Sequence, residues 1–346
     1  MALRDLLGTD LPLIQAPMAG VQGSALAIAV CRAGALGSLP AAMLTPQALA
    51  EELAAIAAAS DRPYNVNFFC HTAPPADDAA EAAWRAALTP YYREFGIDPA
   101  GIAAGPGRRP FDADAVELLE RFRPRVVSFH FGLPEPALMQ RLRSWGAVLL
   151  SSATTVAEAL WLEAQGVDAV IAQGLEAGGH RGHFLDHDLS LQMGTHALVP
   201  QVVRALRVPV IAAGGVADAA GVAAAMRLGA AGVQVGTAYL LCPQAHTSAV
   251  HRAALASDAA AHTALTNLYT GRPARGIVTR LMRELGPIGA VAPPFPLAAS
   301  AVAPLRAAAE ARGLGDFSPL WAGQNTSGCR PVSAEELTRA LAAGLG

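Results

Sequence analysis

Short apolar runs alternate along the chain with longer stretches in which Ala and Leu recur at helical spacing. The runs at residues 12–16, 36–39, 64–68, 125–129, 147–151, 169–172, 208–212 and 232–235 predict strands. Most of them lack interior charge, the pattern of strands buried on both faces, as in a parallel sheet. Between them, residues 24–32, 46–58, 136–145, 156–164 and 218–227 predict helices. About eight β-then-α units point to a closed (β/α)8 barrel, a TIM barrel, more than to an open sheet.

Two segments break this rhythm. Residues 72–123 form an excursion containing Pro and Gly, with a helix near 78–94. From about residue 243 to 304 the chain leaves the alternation and carries Pro293, Pro294 and Pro296. The second segment predicts an inserted, mainly helical substrate-binding lobe beside the barrel mouth. The barrel domain then comprises residues 1–242 and 305–346, and the lobe residues 243–304.

Composition narrows the chemistry. All 25 basic residues are Arg, and there is no Lys. Schiff-base and pyridoxal-phosphate catalysis, P-loop nucleotide sites and protein kinase sites all need a lysine, so each is excluded. A net charge of −3 with dispersed arginines provides no electrostatic footprint for nucleic acid. Cys31, Cys70, Cys242 and Cys329 stand far apart, which fits a reducing compartment better than a disulfide scaffold or a cysteine-rich zinc site. The uncharged stretch 11–31 is broken by Pro12, Pro17, Gly20 and Gly23 and has no basic leader. It therefore suits neither a membrane span nor a secretory signal, and a soluble, cytoplasmic protein is expected.

In a parallel barrel, functional groups gather at the C-terminal strand ends. The seventh predicted strand runs into Gly214-Gly215-Val216-Ala217-Asp218, and the eighth into Gly236-Thr237. Glycines allow close backbone approach to an anion, and these two loops are the usual phosphate cradle of the fold. A pair of tight βα turns is the plainer reading. With no lysine, main-chain amides must supply most of any phosphate binding. The first strand ends in Gln15-Ala16-Pro17-Met18, whose small residues and proline offer a flat wall to a planar ligand. Asn67 shares one strand face with Asn65, and buried amides on an inner face require partners.

The sixth strand is followed by residues 173–184, with four glycines between Gly174 and Gly182 and with His180 at the centre. Neither helix nor strand favours such a segment. It can hold an imidazole over the mouth, where a group titrating near neutrality can take a proton or steady an anion. His180, His183, Asp186, His187 and Asp188 also form a candidate metal set. Their spacing lacks the i, i+4 helical register that aims two imidazoles at one ion, and no metal is expected. His130 ends the fourth strand, facing the mouth or serving as a satisfied core residue.

Together these segments resemble the nitronate monooxygenase family, formerly called 2-nitropropane dioxygenases, and its class I branch in particular. The resemblance is carried by Gln15-Ala-Pro-Met-Ala-Gly20, Ser128-Phe-His-Phe-Gly-Leu-Pro134, Gln173 to Phe184 and Ala213-Gly-Gly-Val216. It continues through Gly232-Val-Gln-Val-Gly-Thr237, Gly271-Arg-Pro-Ala-Arg-Gly-Ile277 and Leu320-Trp-Ala-Gly-Gln324. It implies an FMN-containing barrel that oxidises alkyl nitronates, propionate 3-nitronate among them, with O2 to a carbonyl compound and nitrite. It also implies a monomer or homodimer with no nucleic-acid or membrane partner. Carried over residue by residue, the resemblance assigns FMN to Gln15, Ala16, Pro17, Met18, Asn67, Gln173, Gly178, Gly179, Gly214 and Gly215, and to Gln234, Val235, Gly236 and Thr237. His180 falls on the family's catalytic histidine, and His130, His183 and Phe295 fall near the substrate. Phe295 stands where some relatives have a tyrosine, which bears on substrate range more than on cofactor. Within the same fold, an FMN-dependent NAD(P)H reductase of quinones or enoyl thioesters is the alternative.

Overall fold

The computed structural model describes residues 2–102 and 107–346. Eight parallel strands form one sheet: β1 (Leu13–Gln15), β2 (Gly37–Pro40), β3 (Tyr64–Phe69), β4 (Val126–His130), β5 (Val148–Ala153), β6 (Ala169–Gln173), β8 (Val210–Ala213) and β9 (Gly232–Val235). Their order is β1-β9-β8-β6-β5-β4-β3-β2. The parallel bridge between Ile14 and Leu36 joins the two edges, and the amides of Gln15 and Leu36 donate across it at 2.9 Å each. The sheet is thus a TIM-like barrel, as the alternation predicts, and every predicted strand lies within two residues of an observed one.

Strand alternation sorts side chains into two layers. Ile14, Leu36, Leu150, Ile171 and Ile211 fill the barrel interior, and the helix Leu3–Leu7 plugs its N-terminal end with Leu3, Leu6 and Leu7. Alternate residues such as Leu13, Val170, Ala172, Ala212, Val233 and Val235 face outward into the layer beneath the helices. The helices start where the sequence provides caps: Thr45, Thr155 and Asp218 accept from the amides of Ala48, Glu158 and Gly221. The helix Ala334–Ala342 returns the chain to the barrel, packing Leu337 and Leu341 into that outer layer.

The lobe draws on two parts of the chain. Helix Asp78–Phe95, from the 72–123 excursion, lays Trp84, Leu88, Tyr92 and Phe95 against Ala298, Val302 and Leu305 of helix Ala298–Glu310. Trp84 Nε1 donates to the Ala298 carbonyl at 3.1 Å and the Tyr92 hydroxyl to the Ala301 carbonyl at 2.7 Å. Residues 103–106 of the excursion lie outside the described residues. The 243–304 segment is less helical than expected: besides the helices Ala249–Leu255 and Arg280–Leu285 and the start of Ala298–Glu310 it contains long irregular stretches and a hairpin, β10 (Thr263–Thr266) and β11 (Ala274–Ile277). Strand β11 pairs on its other side with the two-residue β7 (Gly179–His180), tying lobe to barrel. No described helix is long and apolar enough to cross a membrane.

Helix Ser24–Arg32 approaches β2 so closely that a Cβ on Gly37 would stand 2.1 Å from the Ala27 carbonyl oxygen. Gly37→Ala is expected to lower the free energy of unfolding by about 3 kcal/mol, since backbone cannot yield as a flexible side chain does. A urea midpoint equal to that of the parent chain would show the packing to be looser than this.

Candidate active site

The C-terminal strand ends open into a cavity of about 450 Å3. Asn67, His130, Ser152, Gln173 and Gln234 reach it because they occupy inward positions near their strand ends. On one side the chain turns through Gly214 (φ 115°) and Gly215 (φ 74°), backbone that favours glycine. A Cβ on Gly214 would meet Thr195 Oγ1 at 2.9 Å, and one on Gly236 would stand 3.3 Å from Ala16 Cβ. Among the described residues, the amides of Gly215, Gly236 and Thr237 donate to no protein group. Gln234 Oε1, on the adjoining wall, is buried without a hydrogen-bond partner. Unmet polar groups converging on one cavity are what a bound polar ligand satisfies.

His180 is fixed from three directions. Its carbonyl accepts from Gln173 Nε2 at 3.0 Å and from His130 Nε2 at 3.1 Å. That bond places the His130 proton on Nε2, so Nδ1 accepts from the Ser152 hydroxyl at 2.5 Å. The His180 ring meets Thr270 Oγ1 through Nε2 at 2.9 Å, while the Thr270 hydroxyl donates to the Arg272 carbonyl at 3.4 Å. By this network His180 Nε2 carries the ring proton and Nδ1 keeps a free lone pair. Directly behind, Arg181 is fully buried, donating to Gln192 Oε1 and to the carbonyls of Gly174 and Gln173 at 2.7–2.8 Å. Gln173 Oε1 accepts from the Gly182 amide at 2.8 Å, so strand end and loop hold each other.

The surroundings are aromatic and cationic. Phe295, Trp321, Phe131 and Phe69 lie with ring centroids 5.4, 5.6, 6.0 and 6.1 Å from His180. Phe131 holds a left-handed backbone (φ 69°), a conformation costing about 1–2 kcal/mol for a residue with a Cβ, and its ring lies 4.0 Å from the Arg272 guanidinium. Burial chiefly, then His130, Arg272, Arg108 and His71, holds the His180 imidazole well below its ordinary pKa. Burial likewise pushes His130 down to about 3. Both rings are neutral at pH 7, and His180 presents a base rather than a cation.

A sequence model described as nitronate monooxygenase matches residues 1–344. The chain belongs to the nitronate monooxygenase family. The nitronate monooxygenase of Pseudomonas aeruginosa is 43% identical over 342 residues, covering 97% of this chain and 96% of that protein. That of Paraburkholderia phytofirmans is 41% identical over 345 residues, covering 98% and 93%. The solved nitroalkane oxidase of Streptomyces ansochromogenes superposes with a TM-score of 0.89 at 38% identity, covering 100% of this chain and 98% of that one. This protein is accordingly an oxidoreductase of the nitronate monooxygenase family, acting on a small molecule.

Of the residues that the family resemblance singles out, Ala16, Pro17, Met18, Asn67, Gln173, Gly178, Gly179, Gly214, Gly215, Gln234, Gly236 and Thr237 line the cavity together with His180 and His130. Gln15 and Val235 do not, because alternation turns both outward. Gln15 instead bonds Gln22 and accepts from the Ser38 amide at 3.1 Å, while Val235 packs beneath the helices. Asn67 and Asn65 do share the inner face, and their side-chain nitrogens donate to the hydroxyls of Ser128 and Ser38 at 3.0 Å each, while Asn65 Oδ1 is buried without a partner. His183 is buried off the cavity wall, its carbonyl accepting from Arg272. Phe295 also lies off the wall and packs edge-on against His180. Asp186 and Asp188 accept amides in local turns, and among the described residues no three His, Cys, Asp or Glu groups converge as a metal site.

Thr270, Arg272, Arg181 and Trp321 escaped sequence reasoning as individuals. Arg272 lies in a segment the resemblance covers, residues 271–277, and Thr270 just before it, but nothing local reveals that this part of the chain reaches His180. Their role appears only when β11 pairs with β7 and sets Ala274 opposite His180.

Two consequences are measurable. Arg181→Met leaves two carbonyls and the Gln192 amide oxygen without those donors, and should cost about 3 kcal/mol in urea unfolding. A loss below about 1 kcal/mol would mean that the loop is held by other means. His130, His183 and His251 have folded pKa values near 3, 3 and 4, each lowered chiefly by burial. Unfolded, each binds a proton near pH 6.5, so the unfolded chain takes up more protons below that value. Stability should therefore fall as pH drops from 6.5 towards 4, by up to about 1.4 kcal/mol per pH unit for each ring. Thermal unfolding midpoints between pH 7 and 4.5 test this, and a flat profile contradicts neutral burial.

Proposed function

We infer that the cavity holds flavin mononucleotide and that the protein oxidises alkyl nitronates with O2, releasing a carbonyl compound and nitrite. The observation that carries this reading is the neutral imidazole of His180, with Nδ1 free, over a cavity whose rim presents unpaired amides. The residues suit such a cofactor. Gly215, Gly236 and Thr237 would hold its phosphate by main-chain N–H groups, which suits a chain without lysine. Asn67, Gln173 and the unpartnered Gln234 Oε1 would meet the polar edge of its ring system, and Ala16-Pro17-Met18 would wall one side. When bound, the flavin supplies the electron transfer between substrate and O2.

The chain's own residues account for binding and proton handling. Arg108 and Arg272, both acting on His180 and both without a contacting carboxylate among the described residues, make the site positive and draw in an anion. The aromatic rings exclude water and strengthen that attraction. His180 Nδ1 is placed to accept a carbon-bound proton from a neutral nitroalkane, while a nitronate, already deprotonated, needs only to be positioned. Thr270 orients the ring by accepting the Nε2–H hydrogen bond.

Protein purified from an aerobic culture should be yellow, with the visible bands of a flavin, and a chelator should not change its activity. Oxygen uptake and nitrite release with ethylnitronate should accompany each other. NAD(P)H consumption with quinone or an enoyl thioester and no nitrite release would overturn the assignment in favour of a reductase. His180→Asn should keep the flavin and lose about 100-fold or more in turnover of neutral nitroethane, and much less with ethylnitronate. Because His180 stays unprotonated well below pH 6.5, kcat/KM for nitroethane in the parent enzyme should remain flat from pH 8 to 6. A fall centred near 6.5 would show an ordinary, solvated histidine.

A further inference from the structure

His180 keeps a free lone pair on Nδ1, and its ring lines the same cavity as Arg108. The Arg108 guanidinium donates only to the Gly107 carbonyl, at 3.2 Å, and meets no carboxylate among the described residues. Arg272 donates through Nη2 to the His183 carbonyl and keeps its buried Nε without a partner. Phe295, Trp321, Phe131 and Phe69 close around His180, so these positive charges act through a medium poor in water. Base and cations are all supplied by the chain itself.

A neutral substrate gains from this field only as negative charge develops on it. The field then lowers a barrier instead of deepening a ground state. A nitro compound develops that charge whenever a bond to its nitro-bearing carbon breaks and leaves the electron pair behind. Loss of a C–H proton to His180 is one such event. Where the adjacent carbon carries a hydroxyl, rupture of the C–C bond is another, and the base then takes the O–H proton, one carbon further out. Both events make the same demands: one positioned base, one fixed positive charge and a site that excludes water.

We propose that these residues also cleave β-nitro alcohols into an aldehyde and a nitronate, a lyase activity that feeds the oxidation. His180 Nδ1 removes the hydroxyl proton, the C–O bond becomes a carbonyl as the C–C bond breaks, and the bonding pair passes to the nitro group beside Arg108. No net oxidation or reduction occurs. The proton on His180 returns to the nitronate carbon to give a nitroalkane, or passes to water when the nitronate stays to be oxidised. The assignment rests on the nitronate-oxidising reading for the anion that Arg108 steadies, while the cleavage itself needs neither electron transfer nor O2.

The test uses the flavin-loaded protein and 2-methyl-2-nitropropan-1-ol. This alcohol has no hydrogen on its nitro-bearing carbon, so only cleavage can turn it into a nitronate. Under argon, proton NMR should show formaldehyde and 2-nitropropane in equal amounts, formed at least about 100-fold faster than in buffer. The methyl ether of the alcohol, which lacks the hydroxyl proton, should be inert. In air, nitrite should follow formaldehyde from the alcohol and be absent with the ether. His180→Asn that retains flavin should fall to the buffer rate. Arg108→Met should lower kcat for the alcohol at least about tenfold and leave KM little changed, because a neutral ground state makes little use of the charge. The ether comparison needs no variant and so stands even where neither substitution folds. Cleavage no faster than in buffer, breakdown of the ether, or undiminished cleavage by flavin-holding His180→Asn would each sink the lyase. Nitrite from ethylnitronate with no cleavage of the alcohol strikes the lyase alone. Cleavage with no nitrite from ethylnitronate keeps the lyase and removes the oxidation reading instead.

Discussion

The active-site loop depends on a charge that has no counter-charge in contact. Arg181 is completely buried, and its guanidinium ends on two main-chain carbonyls and one side-chain amide oxygen. Burial accordingly lowers its pKa from the usual arginine value to about 9, still leaving it protonated at pH 7. A buried cation tolerates such a position only when its donors are satisfied, and those three acceptors are available in one arrangement of the glycine-rich segment. The expense of burying the charge is thereby turned into geometry: Gln173, Gly174 and Gln192 are drawn together, and His180 is delivered to the mouth immediately beside them.

The same logic of forced satisfaction runs through the site. His180's carbonyl takes two donors, His130 Nδ1 accepts from the Ser152 hydroxyl, and Thr270 Oγ1 accepts from His180 Nε2–H. Each bond decides the tautomer of the next, so the sequence of donors ends on one free lone pair, His180 Nδ1. Aromatic rings and arginines around it remove water and add positive charge, which keep the imidazole neutral and attract an anion. A base and an electropositive field can coexist here because the positive charges are guanidinium groups that do not give up their protons.

Much of the barrel was readable because its strands are buried on both faces and separated by capped helices, a pattern that needs no long-range information. The glycine loops after the seventh and eighth barrel strands were readable for the same local reason. Gln15 and Val235 show where local reading stops. Both lie in motif segments, yet period-two alternation with a register set by β1–β9 pairing turns their side chains away from the cavity. The lobe was legible as a departure from the alternation, but its partner was not. Helix Asp78–Phe95 joins it from a segment more than 200 residues distant from Ala298 and Ala301, through contacts no local pattern announces.

Residue types and spacing alone already determined the parallel barrel and the exclusion of lysine chemistry, and they pointed to the mouth and to His180 as the candidate site. These follow from local rules: apolar periodicity, glycine's backbone freedom and the chemistry each side chain can perform. Tertiary structure alone decided which nitrogen of His180 is free, because that depends on Thr270, ninety residues away. It also decided the neutral state of the ring, since desolvation is a property of everything packed around a group and not of its neighbours in the chain. Pairing of β7 with β11, a strand of two residues closed by one from another part of the chain, is where those two kinds of information meet.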